Sequence, residues 1–189
     1  MTDKTTSRQA IIDAAGELIR SHGVQGASIA RLVKLSGTSA GAIYHHFSGK
    51  NAVVVAVARE AIAVPLRALE EYRHRPASPA ELASFAMNAL AVAPELGDLL
   101  AQLGAGAGTD DELGQQLRAE FALLRDSMEE TMLAWAQAND IPGGRVSGYS
   151  QLLAGLTLGY ASQRVLVDGF DESGYRNQAV QLLKLSKNG

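Results

Sequence analysis

The chain has 189 residues, 47% of them apolar, with a formal net charge of −3. That is enough apolar content for a real core in one domain or two small ones. Cysteine is absent, which excludes a disulfide framework, a thiolate metal site and a Cys nucleophile. The first ten residues, MTDKTTSRQA, contain no apolar run of the kind a signal peptide needs, so a soluble, cytoplasmic protein is expected.

The charge is unevenly distributed. Residues 1–50 hold six basic side chains (Lys4, Arg8, Arg20, Arg31, Lys34 and Lys50) against three acidic ones, whereas the remainder is acidic. A basic N-terminal part on an acidic body suggests that the first segment meets a polyanion. Apolar residues recur at spacings of three and four throughout, and nowhere alternate with polar ones. The pattern predicts helices near 6–21, 29–35, 39–46, 50–74, 79–92, 95–103, 110–138, 145–168 and 172–186, and hence an all-α fold. Thr6-Ser7-Arg8-Gln9, Ser78-Pro79-Ala80-Glu81 and Thr109-Asp110-Asp111-Glu112 read as capped starts. Gly23, Gly37, Pro76, Pro142 and Gly169 read as stops. GAGAG at 104–108 reads as a flexible loop.

Three short helices come first, and Leu35-Ser36-Gly37-Thr38 joins the second to the third. That is the outline of a helix-turn-helix, with glycine permitting the left-handed turn. Ile11, Ala14, Ala15 and Leu18 form an apolar face on the first helix. Ile29, Leu32 and Val33 do so on the second, and Ile43 with Phe47 on the third. Ala40, Gly41 and Ala42 make the third helix slim enough for a major groove, with Tyr44 and His45 directed at the phosphates on its rim. Lys50 opens the next helix, within reach of a phosphate.

The run Arg8-x-x-Ile11…Ala15…Leu18-Ile19…Gly23, Ser28-Ile29…Leu32…Gly37-Thr38-Ser39…Gly41…Ile43-Tyr44-x-His46-Phe47-x-x-Lys50 resembles the tetracycline-repressor (TetR) family over about the first 55 residues. The resemblance implies an all-helical homodimer that binds a palindromic double-stranded operator and leaves it when a small molecule enters the C-terminal domain. Carried over by position, Ser28 caps the second helix and touches a phosphate. Thr38, Ser39, Ala40 and Gly41 face base edges. Tyr44, His45 and Lys50 hold the backbone, with Lys34 in the same DNA-facing set. Val33, Thr38 and Gly49 depart from the residues usual in the family.

Tyr44 also admits a reading as a core aromatic with a surface hydroxyl. His45 and His46 diverge by about 100° on a helix, and no carboxylate or thiolate completes a metal site. No Ser/His/Asp set, phosphate-cradling loop or HExxH occurs, so neither an enzyme nor a cofactor is expected.

Farther along, Leu117, Phe121, Leu124, Met128, Met132 and Trp135 fall within about 80° on the helix 110–138. Such a stripe is plain core or a pliable pocket wall. Residues 146–163 carry no charge, yet their Ser, Thr and Gln content argues against a membrane span and for a fully buried helix. One of its stripes (Gly148, Leu152, Gly155, Gly159, Ser162) suits close helix approach; another (Tyr149, Leu153, Leu156, Tyr160, Gln163) mixes apolar walls with polar tips. Two helices per subunit would build a four-helix dimer interface from Leu152, Gly155, Gly159, Tyr175 and Leu182. The effector pocket is expected from Phe85, Phe121, Met128, Met132, Trp135, Tyr149 and Tyr160, with Asn88, Gln102 and Gln163 as polar groups. The expectation is a two-domain transcriptional regulator: residues 1–50 for DNA, 51–189 for effector and dimerisation. The alternative is a helical small-molecule binding or interaction protein that no longer reads DNA.

Overall fold

A computed structural model describes residues 4–72, 74–108, 111–146 and 148–185. Among these the elements are α1 (Lys4–Gly26), α2 (Ile29–Ser36), α3 (Ala40–His46), α4 (Lys50–Glu71), α5 (Pro79–Val92), α6 (Pro94–Gly106), α7 (Asp111–Ala138), a short 3₁₀ turn (Gly143–Arg145), α8 (Tyr149–Leu166) and α9 (Glu172–Leu182), with no strand. The cap expected at Thr109 and Asp110 lies outside the described residues, as does Ser147. Helix α1 begins before Thr6, and at Gly23 the backbone leaves the helical region (φ 68°, ψ 175°), so two helical segments meet at the expected stop.

The chain divides into two compact units, and the division does not follow the boundary expected at residue 50. The first unit runs to Ile62 and takes in Asp98–Glu120; the second comprises Ala63–Gly97 and the chain from Phe121 onward. The reason is packing. Val53, Val54 and Val57 of α4 are as buried as Ile11, Ala15 and Ile19 of α1. At two points, polar contacts hold α4 within this unit: Gln9 Nε2 donates to Glu60 at 2.9 Å, and Arg59 Nε to the buried Glu120 of α7 at 2.7 Å. Within α4, Pro65 leaves the Ala61 carbonyl without its helical donor, three residues past the end of the first unit.

The GAGAG segment is not the loop its composition suggests. Helix α6 continues through Gly106, and only Ala107 and Gly108 turn. A Cβ on Gly106 would stand 2.4 Å from Val24 Cγ2, so the missing side chain is what lets the end of α6 seat on α1.

In the second unit, α5 packs against both α8 and α9. Its start is a capping box: Ser78 N–H donates to Glu81 Oε2 at 2.8 Å, and Glu81 N–H to Ser78 Oγ at 3.2 Å, with Pro79 in the first turn. The Ser78 N–H first, and then the Ser78 hydroxyl, which also donates to Glu81 Oε2 at 2.8 Å, hold the Glu81 carboxyl below the usual carboxylate range. Leu82, Met87, Met132, Ala136, Leu153 and Tyr160 form the centre of the core. Around Tyr160 a polar network ties three helices. Its hydroxyl donates to Glu172 at 2.5 Å, Arg164 Nε donates to the same carboxylate at 3.0 Å, and Arg164 Nη1 satisfies the Leu90 carbonyl near the end of α5.

The helix expected at 145–168 is broken at its start by Gly148, at φ 85°, and α8 begins only at Tyr149. Nor is it wholly buried: Leu152, Leu158, Val165 and Leu166 are exposed in the single chain. No described helix is long and apolar enough to cross a membrane.

Candidate nucleic-acid interface and effector region

The turn between α2 and α3 is built from small polar residues. Gly37 takes the left-handed conformation at φ 67°, ψ 14°, which an L side chain adopts only with strain. Ser36 and Thr38 share a hydroxyl–hydroxyl hydrogen bond of 2.8 Å, and Thr38 N–H donates to Ser36 Oγ. Ser39 then caps α3, its Oγ accepting from Ala42 N–H at 3.1 Å. Ile43 and Phe47 pin the helix into the core. On a helical wheel Ala40, Gly41, Tyr44 and His45 lie away from those anchors, and all four are exposed. Tyr44 is 59% exposed, which rules out the core reading for its ring.

The remaining residues expected at DNA fall around this helix. Ser28 caps α2, accepting from Arg31 N–H at 3.4 Å, and Lys34 is exposed in the last turn of α2. Lys50 Nζ donates to Gln25 Oε1 at 3.0 Å, which holds the first turn of α4 beside the corner between α1 and α2. The Thr38 hydroxyl shares its hydrogen bond with Ser36, and the Ser39 hydroxyl accepts from Ala42 N–H while keeping its own proton to donate. Arg8 was not expected at this face. Its guanidinium lies over the Phe47 ring, 5.2 Å from the centroid, which brings a cation to the end of α3 across 39 residues of chain. No local pattern signals such a contact.

The residues expected at the effector pocket separate into groups. Met132 and Tyr160 are fully buried, with Met128, Trp135 and Tyr149 packed around them and partly buried. Burial first, then the bond to Glu172, pushes the Tyr160 phenol above its ordinary value. Phe85 meets Tyr72 edge-on at 6.2 Å, and Phe121 and Gln163 are half-buried. Gln102 belongs to the first unit, beside Gly23, and the other residues of this set to the second. Asn88 is exposed on α5, its carbonyl oxygen accepting from Arg176 of α9 at 3.1 Å. Thr157, on α8, went unremarked as a pocket residue: its hydroxyl is buried with no hydrogen-bond partner.

The residues expected at the dimer seam also divide. Leu152, Gly155 and Leu182 are exposed, and a Cβ on Gly155 would meet nothing. Gly159 instead makes room for Tyr175 of the same chain, whose hydroxyl would lie 2.8 Å from an added Cβ and donates to the Leu156 carbonyl at 2.9 Å. The α8 glycines therefore have different roles. Gly159 closes the α8–α9 packing, and Gly155 faces outward.

Residues 11–57 match the family model described as bacterial regulatory proteins, tetR family. The HTH-type transcriptional repressor AcnR of Corynebacterium glutamicum is 45% identical over 56 residues, which is 30% of this chain and 30% of that protein. Residues 11–57 are thus similar in sequence to the DNA-binding segment of TetR-family regulators. The chain matches less than a third of AcnR's length. Over the rest of the chain the likeness is one of fold alone. FadR of Bacillus subtilis, solved in complex with stearoyl-CoA, aligns with a TM-score of 0.69 at 20% identity, over 93% of this chain and 96% of that one. Salmonella enterica GusR aligns with a TM-score of 0.72 at 20% identity, over 98% and 99% of the two chains.

Proposed function

We propose that this chain is a TetR-family DNA-binding transcriptional regulator of the cytoplasm, a repressor that leaves a palindromic operator when a small, mostly apolar effector binds its second unit. The observation that carries the reading is the exposed face of α3. Ala40, Gly41, Tyr44 and His45 point outward from a helix anchored by Ile43 and Phe47, with Arg8, Lys34 and Lys50 as nearby cations. With no long polar side chain among the residues at bases, direct readout is sparse, and Thr38 and Ala40 contact thymine methyls. Phosphate contacts by Tyr44, His45, Lys50 and Ser28 supply most of the affinity.

A homodimer supplies the two heads that a palindrome requires. The exposed side of α8 with Leu152 and Gly155, and Leu182 of α9, supports this as the seam. For the effector, the partly buried Met128, Trp135 and Tyr149 offer an adaptable apolar wall, and the unpartnered Thr157 hydroxyl a polar contact. The long acyl ligand of the FadR neighbour is in keeping with that chemistry. Binding need only favour the DNA-incompetent spacing of the heads by a few kcal/mol to empty the operator.

Selection of bound fragments from the native genome tests the reading. Recovery of a palindrome with half-sites spaced for two heads supports it. Recovery of random sequence sinks it in favour of a helical small-molecule binding or interaction protein. A compound that releases the recovered operator should change the emission of Trp135, the single tryptophan, and bind Met128→Ala more weakly.

A further inference from the structure

A cleft of about 250 Å³ lies between α5 and α9, lined by Ser84 and Asn88 from the first and Ser173, Arg176, Asn177 and Val180 from the second. Of these residues only Asn88 is among those expected at the effector pocket, and the apolar wall proposed for the effector does not include it. Five of the six lining side chains are polar, the reverse of the apolar wall around Met128 and Trp135.

The acids nearest Arg176 are hydrogen-bonded to other groups. One turn before Arg176 on α9 stands Glu172, which would ordinarily be its partner. Both Glu172 oxygens are already engaged, Oε2 by the Tyr160 hydroxyl and Oε1 by Arg164. Two guanidinium groups therefore share one carboxylate. Asp171, the other acid nearby, caps α9 by accepting from Gly174 N–H. The hydrogen bond seen from Arg176 goes to a neutral acceptor, Asn88 Oδ1, at 3.1 Å. A guanidinium has five N–H donors, so several are left for a ligand.

We infer that this cleft binds a small organic oxyanion, a carboxylate or a phosphate. Arg176 provides the fork that either group fits, and the Ser84 and Ser173 hydroxyls and the Asn177 amide provide neutral donors. Both serve equally for the two chemistries. Val180 is the one apolar wall, large enough for a short chain. The volume falls below the roughly 300–1,000 Å³ usual for drug-sized ligands, so the occupant is a compact metabolite and not an acyl chain. This site stands independently of whether the chain binds DNA.

The test is a titration of the full chain with sodium butyrate and, separately, sodium phosphate, followed by thermal unfolding against sodium chloride of equal ionic strength. A ligand that binds the native state alone raises the melting temperature saturably. The expected result is such a rise with at least one of the two probes, and a tenfold or greater loss of affinity in Arg176→Gln, while Lys184→Gln beyond the end of α9 binds as the parent does. A larger effect of butyrate assigns a carboxylate ligand, and a larger effect of phosphate a phosphorylated one. Should Arg176→Gln unfold, Asn177→Ala combined with Ser173→Ala replaces it, with the same loss expected. No saturable rise with either probe, or a rise that survives these substitutions, overturns the site.

Discussion

Gly106 offers the sharpest test of how the first unit is assembled. An alanine there would place its Cβ 2.4 Å from Val24 Cγ2 and 3.0 Å from Val24 Cβ, where ordinary contact starts near 3.4 Å. Val24 is 3% exposed, so it cannot swing into solvent, and either it or the end of α6 must move by about an ångström. Overpacking of this kind costs about 1–3 kcal/mol. Val24→Ala alone should cost about 2 kcal/mol through lost burial and the cavity left behind. Combined, the two changes should be less harmful than their sum, because the truncated valine vacates the space that the new methyl needs. The expected coupling is about 1–2 kcal/mol. Urea unfolding of the four proteins, with the slope as a check on two-state behaviour, measures it. Gly104→Ala is the control: its Cβ meets nothing, and helix propensity alone should stabilise the protein by about 0.5–1 kcal/mol. Additive losses at Gly106 and Val24 would refute the claim that this glycine is a packing seat.

Further outcomes follow from the same geometry. Ser39→Ala removes the α3 cap and should cost about 1 kcal/mol in unfolding free energy, with a larger proportional loss in DNA affinity measured by anisotropy. Gly155→Leu should keep native helicity by circular dichroism and sediment as a monomer, whereas Gly159→Leu should lose stability because Tyr175 fills that space; a Gly155→Leu dimer would remove Gly155 from the seam. Tyr160 and Tyr175 both titrate above their ordinary value, chiefly through burial, so the stability they confer is complete below pH about 10 and lost as pH rises through their folded values. Tyr160→Phe should flatten the alkaline loss seen by denaturant titration. Glu81 and Glu172 are shifted the other way, by the hydrogen bonds of Ser78 and Tyr160 respectively, so their contribution is lost as pH falls through the carboxylate range, and Glu81→Gln should flatten the acid side.

The helices were legible because their signals are local. Period, caps and stops sit within a few residues of the features they set, and the helix-turn-helix adds a glycine whose positive φ the sequence nearly announces. What escaped depends on contacts across the chain. Gly106 looks like loop composition until Val24, 82 residues earlier, supplies the surface it must clear. Gly155 and Gly159 share one stripe in the sequence, and only Tyr175 distinguishes them. Arg8 over Phe47 and Arg176 left with a neutral partner are likewise products of the fold. The effector stripe was legible as an apolar face, but whether a face is core or wall depends on neighbours that no periodicity reports. Burial of Met132 and Tyr160 beside half-buried Met128, Trp135 and Tyr149 is consistent with both roles.

The central claim is that α3 and its flanking cations read double-stranded DNA chiefly through phosphates. Anisotropy titrations of the genome-selected operator and a scrambled duplex, with the parent protein, Lys50→Ala and Tyr44→Phe, test it directly. For a dimer making about six to ten phosphate contacts, affinity should fall by about 10³–10⁵ between roughly 50 and 200 mM salt. Both substitutions should weaken the two duplexes by similar factors. Binding that ignores salt, or a Lys50→Ala protein that changes its preference between duplexes while keeping overall affinity, would contradict the account.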